Sequence, residues 1–116
     1  METYKNLLQQ LVDFKNPTAL PALMEQLRKF DKDRQDRIVH LPLEKIASVL
    51  TRYISGELSA EDVEEWANAV EIREDIELGD DNDPASTNVV WELANPLLTR
   101  PLTHDRARAL IDQLSA

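Results

Sequence analysis

Carboxylates are the chemistry-bearing groups that this sequence concentrates. Twelve of them lie between Glu57 and Asp83, namely Glu57, Glu61, Asp62, Glu64, Glu65, Glu71, Glu74, Asp75, Glu77, Asp80, Asp81 and Asp83, against a single base, Arg73. That stretch carries −11, the other residues sum to +2, and the chain carries −9. Such a cluster can hold a cation, share a proton for acid/base work, or steer a positively charged partner by a field that a dispersed charge of equal total does not produce.

The first two chemistries fail on spacing. Asp80-Asp81-Asn82-Asp83 has the look of a calcium loop, and with Asp81 at position 1 it puts Asp83 at position 3 and Glu92 at position 12. Ala85 at position 5 and Ser86 at position 6 break that pattern, because the sixth position needs glycine for its sharp turn. An acidic, flexible loop between helices is the simpler reading. His40 and His104 are the only imidazoles, and neither has a ligand at helical i, i+4 spacing or a thiolate partner. The plain reading is a loop or edge residue for His40 and an exposed first-turn residue for His104. Glu64 and Glu65 are adjacent on a helix, so they point in different directions and make no dyad. There is no glycine-rich phosphate cradle, no G-x-S-x-G elbow, no H-E-x-x-H and no cysteine nucleophile. The sequence therefore predicts a non-enzymatic protein without metal or cofactor, and steering remains. The candidate partner-binding residues are Glu61, Asp62, Glu64, Glu65, Glu71, Glu74, Asp75, Asp80 and Asp81.

Bulk properties narrow the partner. The 116 residues suit one domain, 1–116, with a core that needs no staples. The chain has no cysteine, which is compatible with a reducing compartment. Its start, Met1-Glu2-Thr3-Tyr4-Lys5, lacks the basic and apolar runs of a signal peptide, and no stretch approaches the roughly 20 apolar residues of a membrane span. A cytoplasmic location is the expectation. Phosphate backbones and anionic lipids are repelled by this net charge, so neither nucleic acid nor membrane is expected as a direct partner.

The elements that must position these groups read as helices. Tyr4, Leu7, Leu8, Leu11 and Val12 mark one face of a helix over Tyr4–Phe14. Asn16 as N-cap and Pro17 in the first turn open a second, with Leu20, Leu23, Met24, Leu27 and Phe30 inward, ended by the mixed-charge run Asp31–Arg37, which reads as a solvated turn. A third begins near Pro42, carries Leu43, Ile46, Ala47, Val49, Leu50, Tyr53 and Ile54, and stops at Gly56. Ser59 starts a fourth, with Asp62 three residues on in a capping-box pattern and Val63, Trp66, Ala67 and Val70 as its stripe. Its early acids, Glu61, Asp62, Glu64 and Glu65, complement the positive end of the helix dipole, a local structural rationale beside the functional one.

Asp83-Pro84 opens a fifth helix that buries some of Val89, Val90, Trp91, Leu93 and Ala94 and ends by Pro96. Thr103 opens a sixth, with Ala107, Leu110, Ile111 and Leu114 at core spacing. Trp66 and Trp91 both fall on apolar stripes and read as core anchors. Pairing of strands at 37–41 and 71–78 ranks below helix and loop, since neither segment has hairpin turn chemistry. The fold class is all-α, a compact bundle of five or six helices centred near residues 9, 24, 49, 65, 90 and 110.

The segment Leu50-Thr-Arg-Tyr-Ile-Ser-Gly-Glu-Leu-Ser-Ala-Glu-Asp-Val-Glu-Glu-Trp66 joins an amphipathic helix, a Ser-Gly-Glu-Leu-Ser turn and an acidic helix. It resembles small acidic helical immunity proteins of bacterial toxin–immunity systems, including colicin-D-type immunity proteins and those of contact-dependent growth inhibition. The resemblance implies a protein that binds a basic toxin domain, commonly a nuclease, and blocks it by covering its substrate surface. The function expected is thus an immunity protein acting by electrostatic capture and occlusion. The alternatives are a regulatory or scaffold module that recognises another basic protein, and a helical enzyme subunit whose chemistry is supplied elsewhere.

Overall fold

The computed structural model describes residues 4–29, 39–73 and 75–115. They form an all-α bundle of six helices with two short strands: α1 Tyr4–Asp13, α2 Leu20–Arg28, β1 Val39–Leu41, α3 Leu43–Ile54, α4 Ala60–Glu71, β2 Ile76–Leu78, α5 Pro84–Ala94 and α6 His104–Ser115. The expected inward place of Phe30, the solvated turn at Asp31–Arg37, and Glu74 lie outside the described residues.

Two expectations about local structure change for identifiable reasons. The second helix does not run on from Asn16. Asn16 caps a 3₁₀ turn at Pro17–Ala19, its Oδ1 accepting from the Thr18 N–H at 3.1 Å, and α2 starts afresh at Leu20. In an unbroken helix the Pro17 carbonyl would need a donor from residue 21, which is a proline without N–H. The Leu20 N–H bonds it instead, in the tighter 3₁₀ pattern, and Pro21 takes a first-turn position where no donor is required.

The strands do pair, in parallel, with Val39 opposite Ile76, His40 opposite Glu77 and Leu41 opposite Leu78. Parallel strands are joined by a crossover and not by a hairpin, so missing turn chemistry is no argument against them. Here α3 and α4 are the crossover.

Helices α4 and α5 pack together, as do α3 and α6, while α1 packs on α2 and on β1. Trp66 is the largest side chain with no exposed surface, and its indole N–H donates to the Leu11 carbonyl at 2.9 Å. Its ring stacks on Phe14 at 5.7 Å. Phe14 ends α1 in the left-handed region, at φ 46°, and the Arg52 guanidinium of α3 donates to its carbonyl at 2.7 Å. The last carbonyls of a helix lack intrahelical donors. Side chains from α3 and α4 supply them here, so capping α1 also fixes it to the bundle.

Trp91 departs from its expected place in the core, being 44 % exposed. The inner face of α5 is Ser86, Val89, Val90, Leu93 and Ala94. At 100° per residue, Trp91 points away from that arc. The run Val89-Val90-Trp91 is apolar all round, and only packing selects which side faces α4.

Candidate functional site

The fold sorts the twelve carboxylates into groups with different duties. Five have local work. Glu57 pairs with Arg52. Asp62 completes the capping box of α4, its carboxylate accepting from the Ser59 N–H at 2.9 Å while Ser59 Oγ accepts from the Asp62 N–H at 3.0 Å. Glu77 accepts from the Asp81 N–H at 2.5 Å. Asp83 caps α5, accepting from the N–H groups of Ser86 and Asp80 at 3.0 Å each. The Ser86 amide, foremost, holds the Asp83 carboxyl below its ordinary pKa.

Asp75 is the fifth, and its position corrects the expectation of a solvent-facing carboxylate. It is 4 % exposed. Arg73 Nε donates to its Oδ1 at 3.1 Å, Tyr4 donates its hydroxyl to Oδ2, and Arg73 also donates to the Tyr4 hydroxyl at 2.7 Å. Burial, followed by the bond to Asp75, raises the Tyr4 phenol above its ordinary pKa against the opposing pull of Arg73. Asp75 therefore anchors α1 to the approach of β2 and presents no charge to a partner. The one base in the acidic stretch pairs with Asp75, the one of these carboxylates that is buried among the described residues.

The segment 80–83 is likewise a tied turn and not the loose loop expected. Asp81 and Asn82 adopt positive φ, 57° and 53°, and Asn82 Oδ1 accepts from the Leu78 N–H at 2.7 Å. Among the described residues no group of three His, Cys, Asp or Glu side chains is placed to hold a metal. His40, on the exposed side of β1, donates from Nε2 to the Gly79 carbonyl at 2.6 Å. His104 is an exposed first-turn residue, edge-on to Tyr53.

What remains is a face. Glu61, Glu64, Glu65 and Glu71 fall at i, i+3, i+4 and i+10 along α4, within one arc of about 120°, Glu61, Glu65 and Glu71 exposed and Glu64 half-buried where the arc meets the buried side of Val63, Trp66, Ala67, Ala69 and Val70. Ten residues at 1.5 Å each stretch this row over roughly 15 Å. Among the described residues no ion pair engages any of the four, nor Asp80 in the turn beyond. Asp81 is exposed beside Asp80.

Helix electrostatics account for only part of this row. Glu61 and Asp62 sit in the first turn, where the dipole favours negative charge. Glu71 sits in the last turn, where the dipole opposes it, and no basic residue stands there. Glu61 also faces Glu64 and Glu65 at like-charge spacings that weaken a helix. The row is thus costly to the helix that carries it.

Sequence reasoning missed a second feature. Ala60 and Val63 of α4, Leu93 of α5, and Pro96, Pro101 and Leu102 of the α5–α6 connection line a cleft of about 200 Å³, with Glu61 and Glu64 in its wall. The same connection leaves Leu97 fully exposed and Leu98 at 75 %. The signal available was Asn95-Pro96-Leu97-Leu98, an apolar pair just beyond a helix-ending proline.

Compared with known proteins, the chain matches no family model, no curated protein and no solved structure. The acidic face has to be interpreted from its own chemistry. No helix of the described residues is long and apolar enough to cross a membrane.

Proposed function

We propose that this protein is an immunity-type inhibitor that captures a basic toxin domain, a nuclease by preference, through the acidic face of α4. The observation that carries this reading is the row Glu61, Glu64, Glu65 and Glu71, which has no ion partner among the described residues and which helix stability does not explain at Glu71. A nuclease binds phosphates with lysines and arginines. Carboxylates spaced along a rigid helix present negative charge to those cations as the phosphates do, and long-range attraction raises the encounter rate before any contact forms. Once docked, the bundle covers the surface on which the nucleic acid would lie.

The test is co-expression with the basic nuclease domain of a toxin encoded beside its gene, with association kinetics on purified proteins. Glu65→Lys, Glu71→Lys and Asp80→Lys together should slow association and abolish protection while the helical circular dichroism is retained. Wild-type association should slow as the screening length falls from about 10 Å at 0.1 M salt to about 3 Å at 1 M. Association that is unchanged by both salt and the substitutions would overturn electrostatic capture. A salt-sensitive complex that leaves the nuclease active would favour the regulatory or scaffold reading instead.

A further inference from the structure

We infer that the cleft between α4, α5 and the α5–α6 connection is the anchor point of that interface, taking an arginine or lysine flanked by apolar side chains. This inference rests on the acidic-face reading and names the part of the partner that the face grips.

The cleft lining is apolar at Val63, Leu93, Pro96 and Leu102 and acidic at Glu61 and Glu64, which have no ion partner among the described residues. A long basic side chain suits both halves, because its methylene stem lies on apolar surface while its head reaches a carboxylate. A metal ion gains nothing from the apolar half, and a small anion suits neither.

Leu97 and Leu98 give the second half of the argument. Exposed leucines on a slack loop turn inward, but this connection is pinned at several points. Thr99 Oγ donates to the carbonyls of Asn95 and Glu92, at 2.8 and 3.2 Å. Tyr53 donates its hydroxyl to the Leu102 carbonyl at 3.2 Å, and Glu92 holds Arg106 of α6 through two bonds of 2.7 and 2.6 Å. The two leucines are therefore held toward solvent on the segment that also lines the cleft. A partner that places apolar residues on either side of its basic residue covers them. The charge of the cleft selects the basic residue, and the exposed leucines select its neighbours.

Two capped six-residue peptides of equal charge test this on the full chain. One places two separated arginines among four leucines, and the other replaces the leucines with glycines. In a low-salt NMR titration the leucine peptide should bind about tenfold tighter, roughly 1.4 kcal/mol. Amide shifts should concentrate at Ala60–Glu64, Leu93 and Leu97–Leu102. Glu61→Gln with Glu64→Gln should weaken both peptides. Leu97→Ser with Leu98→Ser, two exposed positions whose exchange leaves the core intact, should remove the preference for leucine. Equal affinities, or shifts centred on Glu65, Glu71 and Asp80, would overturn the anchor cleft while leaving the acidic face standing. Failure of both peptides to bind at low salt would overturn the acidic face, and the anchor with it.

Discussion

The indole N–H of Trp66, in α4, donates to the main-chain carbonyl of Leu11, the last turn of α1, at 2.9 Å. One side chain thus fills the centre of the core and caps a helix from which it is 55 residues distant in sequence. Trp66→Ala removes both contributions and should destabilise by about 3 to 5 kcal/mol. Trp66→Phe keeps much of the packing but leaves the Leu11 carbonyl buried and unpaired, which costs about 1 to 3 kcal/mol. Urea unfolding of the two variants separates the terms. A Trp66→Phe variant as stable as the wild type would mean that the hydrogen bond contributes nothing, and equal losses in the two variants would mean that the ring's packing does.

Asp75 and Glu65 should behave as opposites although both are carboxylates in the acidic stretch. Asp75→Asn leaves Arg73 without its buried counter-ion, and breaking such a pair from one side typically costs about 3 to 5 kcal/mol. Because the Arg73 side chain is 18 % exposed and keeps its bond to Tyr4, the lower end is expected. Glu65→Gln touches no ion pair and relieves the like-charge spacing to Glu61, so it should leave the urea midpoint where it is or raise it slightly. A destabilised Glu65→Gln would show that the open face has a folding role after all.

Acid should unfold the protein partly through Glu92. Arg106, foremost, by its hydrogen bonds and then by its charge, holds the Glu92 carboxyl below its ordinary pKa despite its burial. A carboxyl lowered in the folded state stabilises at pH values above its unfolded pKa and loses that contribution as pH falls through the folded value. The loss should therefore set in below about pH 4, with Asp83 adding to it in the same direction. Glu92→Gln should lose about 1.5 to 3 kcal/mol at neutral pH. Its stability should also fall less steeply on acidification than that of the wild type. An unchanged acid slope would remove Glu92 from the account.

The two glycines should differ when replaced by alanine. Both adopt positive φ, +89° at Gly56 and +59° at Gly79. A Cβ at Gly56 meets nothing within 4 Å, so Gly56→Ala should lose only the roughly 1 to 2 kcal/mol of left-handed backbone. At Gly79 the same atom would lie 1.9 Å from the Asp83 carboxylate that caps α5 and 2.4 Å from Ser86 Oγ. Overpacking there adds about 1 to 3 kcal/mol. Thermal unfolding should therefore rank Gly79→Ala well below Gly56→Ala.

Much of this was legible in the residues alone. Apolar spacing, Ser59 with Asp62, Asp83-Pro84 and the stop after Ile54 locate the helices because 3.6-residue periodicity and end capping act over a few neighbours. So does the acidic row itself: helical spacing is enough to put Glu61, Glu64 and Glu65 on one side of α4. Contacts between distant segments decided everything else. The crossover that makes β1 and β2 parallel, the turn of Trp91 toward solvent, and the burial of Asp75 against Arg73 and Tyr4 all depend on which surfaces meet. A count of charge sees twelve equivalent carboxylates. Capping and turn contacts within five residues engage Glu57, Asp62, Glu77 and Asp83, whereas the burial of Asp75 against Tyr4 joins groups 71 residues apart, and sequence distance does not say that those two meet.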